Sequence, residues 1–69
     1  MHLFKHDKNT DVAMQVMKRF YISEDDTYKI KIRWWNIVNP ANVFYTGVQE
    51  TIRIDRKKFL KEWNKYDPT

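Results

Sequence analysis

Between Thr27 and Val38 the chain alternates strictly. Tyr28, Ile30, Ile32 and Trp34 fall on one parity, and Lys29, Lys31, Arg33 and Trp35 on the other. Successive side chains of a β-strand point to opposite faces, so this is the pattern of a half-buried strand with one core face and one cationic face. The apolar parity is β-branched and aromatic, the types that suit a pleated surface.

Residues 11–22 carry two patterns at once. Val12, Met14, Val16, Phe20 and Ile22 share a parity broken only by Lys18, while Val12, Ala13, Val16, Met17 and Phe20 also fit a helical stripe. Ser23-Glu24-Asp25-Asp26 decides for a strand over 12–22. It is a turn-type cluster that leads straight into the next strand, which makes a hairpin. A slip of one residue would turn every side chain to the other face. If Phe20 and Ile22 share a face with Tyr28 and Ile30, the loop holds three or five residues. The opposite face then carries Met17, Arg19 and Tyr21 beside Lys29, Lys31, Arg33 and Trp35.

Asn39-Pro40-Ala41-Asn42 reads as a second turn. Residues 43–54 form a third extended stretch with Gly47, the chain's single glycine, in its middle. A glycine there predicts one bent strand or two short ones. Asp55 suits an N-cap, and 56–66 reads as a helix with Phe59, Leu60, Trp63 and Tyr66 on one face. Pro68 stops it, because the residue before proline avoids the α region. Residues 1–10 are polar and aperiodic apart from Leu3 and Phe4 and read as a loosely ordered arm. Residues 11–67 read as a single globular domain. The fold class is α+β: a three- to four-stranded antiparallel meander with a C-terminal helix on its apolar face. In outline it resembles small SH3-like or β-meander modules. That likeness is architectural and brings no functional residue with it.

Composition adds three constraints. A core in 69 residues with no cysteine must come from large side chains, here 3 Trp, 4 Tyr and 4 Phe, or from a shared core in a homo-oligomer. No stretch is long and apolar enough to span a membrane, and residues 1–8 lack the apolar run of a secretory signal. A cytoplasmic protein with no membrane contact is expected. The net charge of +4 is unevenly placed: residues 1–26 carry four cations against five acids, and residues 27–69 nine against four. Such asymmetry suits an anionic partner, although a solvated basic surface has the same composition.

The first candidate site is therefore the basic-aromatic sheet face of Arg19, Tyr21, Lys29, Lys31, Arg33 and Trp35. Cations that track a phosphate backbone, interleaved with aromatic platforms, are how single-stranded nucleic acid is held. The second is Arg56-Lys57-Lys58, where cations in a first helical turn oppose the helix dipole and would suit phosphate. The alternative function is protein docking, on a larger partner or on a second copy, with Tyr21, Trp35 and Tyr45 as anchors. Enzymatic chemistry has little to work with. There is no cysteine nucleophile, glycine-rich phosphate loop or Gly-x-Ser-x-Gly elbow, and a chain this short encloses a small-molecule pocket poorly. His2 and His6 have only Asp7 beside them, so no metal site and no cofactor are expected. Glu24, Asp25 and Asp26 lack the pattern of a calcium loop and read as turn residues.

Overall fold

The computed structural model describes residues 3–39 and 41–67. Five strands form one antiparallel sheet: β1 (Leu3–His6), β2 (Asn9–Ile22), β3 (Thr27–Asn39), β4 (Asn42–Asp55) and β5 (Trp63–Tyr66), with α1 (Arg56–Glu62) between the last two. The spatial order is β4-β3-β2-β1-β5. Strands β1 to β4 are a meander, and α1 carries the chain back so that β5 pairs with β1. The molecule is elongated, 39 × 23 × 17 Å.

Residues paired in register share a face, which sorts the side chains. Met14, Ile30 and Ile32 lie on the inner face and are fully buried. Phe59 reaches them from α1, and Phe4, Val16, Tyr28, Trp34, Ile52, Ile54 and Trp63 pack around this centre. Full burial of a side chain such as Met14, Ile30, Ile32 or Phe59 contributes about 1.5–3 kcal/mol. Leu3 and Ala13 are also fully buried, but on the outer face. There they stand in register with Tyr66 and Gln15, and with Lys5 and Trp35, respectively.

The antiparallel sheet and the helix start agree with the sequence reading, and residues 11–22 are strand, but the sheet has five strands where three or four were expected, because the short β1 and β5 join it. Three further details differ. Residues 3–6 are not an arm. Leu3–His6 is an interior strand between β2 and β5, and Leu3 is 1% exposed. The helix ends at Glu62 rather than 66. Trp63 turns extended, and Trp63 to Tyr66 zip onto β1. The helical stripe misled because Leu60 stays 57% exposed and only Phe59 is buried on α1.

The third difference is the register of the first hairpin. Ile22 pairs with Thr27, so the loop has four residues. The extra residue is taken up by a bulge between Val16 and Lys18. Before it Met14 and Val16 face inward. After it Arg19 and Tyr21 pair with Ile30 and Tyr28, and Phe20 pairs with Lys29. Of the two outcomes expected at Gly47, one strand or two, the structure has one. Strand β4 is continuous, with a register shift where Thr46, Gly47 and Val48 face the stretch around Trp34. Gly47 takes φ +86, a conformation that suits a residue without Cβ. Pro40 of the second turn and Pro68 lie outside the described residues. Asn39 pairs with Asn42, and Asn39 Oδ1 accepts from the Ala41 amide at 3.0 Å.

Candidate nucleic-acid interface

On the outer face of β2, β3 and β4, four rows of residues in register lie beyond an end row of Ile22, Thr27 and Asp55. Phe20, Lys29 and Arg53 form the first, and Lys18, Lys31 and Thr51 the second. Gln15, Arg33 and Gln49 form the third, and Ala13, Trp35 and Tyr45 the fourth. These four rows hold five cations and no carboxylate, and the Asp55 carboxylate stands one row beyond Arg53. Cross-strand neighbours stand about 4.5–5.5 Å apart at Cβ, and rows on the same face about 6–7 Å apart. The cations are therefore crowded enough to raise the local potential for an anion. Among the described residues the ion pair on this face is Arg53 with Asp25, 3.9 Å apart. Lys18, Lys29 and Lys31 make none and are exposed. A shallow depression beside Lys29, Thr51 and Arg53 indents this face.

The far end of the face is more tightly organised. The Arg33 guanidinium lies 5.5 Å from the Tyr45 ring centre, and its Nε donates to Gln49 Oε1 at 3.1 Å. Tyr45 and Trp35 pack with ring centres 5.6 Å apart. Trp35 Nε1 donates to Gln15 Oε1 at 2.9 Å. This cation–aromatic stack leaves Tyr45 43% exposed.

Arg19, Tyr21 and Arg56 do not join it. The bulge turns Arg19 and Tyr21 to the inner side, where the Arg19 guanidinium lies 4.8 Å from the Tyr28 ring centre and Tyr21 packs edge-on to Tyr28. Tyr21 Oη donates to Asp26 Oδ1 at 2.8 Å. Arg56 donates to the same carboxylate from Nε and Nη2, at 2.6 and 3.2 Å. The Arg56 amide also donates to the Asp26 carbonyl. The hydrogen bonds from Arg56 and then Tyr21 hold the Asp26 carboxyl below its ordinary range. The bond to Asp26 raises the Tyr21 phenol, and the same carboxylate raises Arg56. These three residues clamp the β2–β3 turn to the start of α1. The Asp55 carboxylate accepts from the Lys58 amide at 3.0 Å and caps the helix itself. Lys57 and Lys58 are exposed on α1 and not in the outer-face rows. Arg56 is thus paired and the cap filled, while the Lys57 and Lys58 side chains are exposed.

His6, Asp7 and Glu62 bring ligand-type atoms within 4.8 Å of one another. Their geometry is that of a clip. Glu62 Oε1 lies 2.9 Å from Nε2, and Asp7 Oδ1 lies 3.2 Å from Nδ1. The carboxylates thus sit at different ring nitrogens, and a single ion at either nitrogen would leave one of them out of place. The Lys8 amide donates to Nδ1 at 3.2 Å, which makes Nδ1 the acceptor and Nε2–H the donor to Glu62 in the neutral ring. His2 lies outside the described residues. Among the described residues no helix is long and apolar enough to cross a membrane.

Lys18, Phe20 and Arg53 were not legible as parts of the site from alternation alone. The signal for Arg53 was its parity with Thr51 and Gln49 on a strand flanking Lys29. Lys18 and Phe20 depend on the bulge, which no residue type announces. Comparison with protein-family models, with curated proteins and with solved structures finds no match to this chain.

Proposed function

We propose that this chain is a non-catalytic binding module that holds the phosphate backbone of nucleic acid on its outer sheet face, in a cytoplasmic setting. The observation that carries the reading is the group Lys18, Lys29 and Lys31, adjacent in register, exposed and without ion pairs, in rows that contain no carboxylate. Phosphate contacts supply most sequence-independent affinity, and compact ammonium groups suit them. Lys29, Lys31, Arg33 and Trp35 keep the role expected of them, with Lys18, Phe20 and Arg53 added. Arg19, Tyr21 and Arg56 leave the site for the inner-side network described above. The test replaces Lys18, Lys29 and Lys31 by Ala and measures affinity for an oligonucleotide. Loss of binding, with Lys57→Ala and Lys58→Ala unchanged, supports the reading. Unchanged affinity in the triple variant sinks it.

A second reading, docking on a protein partner, is favoured by one observation. None of the 16 residues from Trp34 to Gln49 is charged, in a chain that is 32% charged. This is the outer part of the β3–β4 hairpin, and it exposes Val38, Phe44, Tyr45 and Val48. Trp35 and Tyr45 lie on it, but Tyr21 does not. Capture of a partner that survives nuclease and is lost on Phe44→Ser with Tyr45→Ser would support this reading. Sedimentation that shows a monomer at high concentration would exclude a second copy as that partner.

A further inference from the structure

Phe20 is the unusual residue of the outer face. It is 59% exposed, opposite Lys29 and one same-face step from Lys18. Phe20 and Phe44 are alone among the described aromatic side chains in making no ring–ring or cation–ring contact. Phe44 is on the uncharged hairpin, away from the cations. Phe20 shares this face with Lys18, Lys29, Lys31 and Arg53, is more than half exposed, and has no polar atom to offer water. A surface that met phosphates alone would gain nothing from an exposed phenyl group beside its cations. An open ring between cations is what an unstacked base needs, because every base has a π-face and stacking on an aromatic tolerates any sequence. Bases inside a duplex are stacked on each other and unavailable to it.

We infer that the outer face takes single-stranded nucleic acid, with Phe20 as a base-stacking platform. This rests on the reading of that face as a phosphate-backbone surface. The second platform is the Arg33–Tyr45–Trp35 stack at the other end. From Lys29 to Trp35 along β3 is six residues, roughly 20 Å at 3.3 Å each, with the free lysines between. An extended strand covers that span in roughly four nucleotides, the lower end of known single-strand site sizes.

The experiment compares fluorescence-anisotropy titrations of a labelled eight-nucleotide oligo(dT) and a labelled DNA hairpin duplex against the intact chain at low salt. Phe20→Ala and Phe20→Thr are measured beside it, the second keeping strand preference at an exposed position. The expected result is that the chain prefers oligo(dT). Both variants lose roughly five- to hundred-fold of that affinity, the range of one stacked base, and duplex binding does not change. Phe20→Trp should restore oligo(dT) affinity and show quenching of the new indole. If both Phe20 variants bind oligo(dT) like the unaltered chain, while the triple lysine variant loses both ligands, the stacking inference fails and the backbone reading stands. If the unaltered chain binds neither ligand, both fail.

Discussion

Phe59 is the one buried side chain of α1, and its removal should be felt across the whole domain. It is 2% exposed, with ring centres of Phe4 and Tyr28 at 5.2 and 5.7 Å. It therefore ties the helix to both β1 and β3. Phe59→Ala removes a fully buried ring and leaves a cavity, a change that costs about 3–5 kcal/mol. A domain of this size has about 3–10 kcal/mol of stability in all. The variant should be left close to its unfolding threshold, with a Tm lower by at least about 12 °C, taking 4–8 °C per kcal/mol for a small domain. Phe59→Leu refills most of the space and should cost much less. Urea unfolding followed by far-ultraviolet circular dichroism and tryptophan fluorescence gives both values. Hydrogen exchange adds a local readout, because β5 is held to the sheet through the segment that Phe59 anchors. Amides of Asn64 to Tyr66 should lose protection before those of β3. A loss below about 1 kcal/mol for Phe59→Ala, with an unchanged m-value, would refute this view of the core.

Three further outcomes are expected. The folded state holds Asp26 in its ionised form, so the Tyr21–Asp26–Arg56 network stabilises above the ordinary carboxylate value of 3.8 and is lost as pH falls below it. Asp26→Asn should flatten that part of a stability–pH curve, and an unaltered curve would remove the network from the account. Gly47→Ala should cost about 1–2 kcal/mol in urea unfolding, from left-handed backbone strain alone, since an added Cβ would meet nothing within 4 Å. Deletion of Met17 takes out the extra residue of the bulge, so that Val16 and Lys18 meet Ile32 and Lys31 in one unbroken alternation and Met14, Val16, Arg19 and Tyr21 keep their faces. A folded variant with a Tm near that of the full chain is expected, and loss of the folded state would mean that the register is not the one described.

The central strand was legible because Tyr28 to Ile32 obey one rule. There the even positions meet core and the odd positions meet solvent, and the same parity carried on to Arg33 placed Lys29, Lys31 and Arg33 on one face; beyond Trp34 the alternation of burial fades, with Asn36 and Val38 exposed. The neighbouring strand was not, because its parity changes at Met17. Val12 to Val16 and Arg19 to Tyr21 each obey the alternation, but in opposite phase. A continuous reading put Arg19 and Tyr21 on the cationic face and Phe20 in the core. The first and last strands were missed for a different reason. Leu3–His6 and Trp63–Tyr66 have four residues each, too few to show a period, and their pairing with each other is a long-range event. Trp63 and Tyr66 satisfied a helical stripe that tertiary pairing overrode. At the helix start the sequence identified the cap, Asp55, but not that Arg56 would be taken by Asp26, thirty residues earlier.

The most direct test of the binding surface is a tryptophan-fluorescence titration with a single-stranded oligonucleotide at low and moderate salt. Trp35 borders the cationic rows and should report occupancy. Binding through Lys18, Lys29 and Lys31 should weaken with salt at a log–log slope of about −2, near −0.7 per neutralised phosphate. A saturable signal with that slope, reduced when the three lysines are replaced by Ala, is what the account predicts. No signal at low salt from a chain whose sheet is intact by circular dichroism would contradict it.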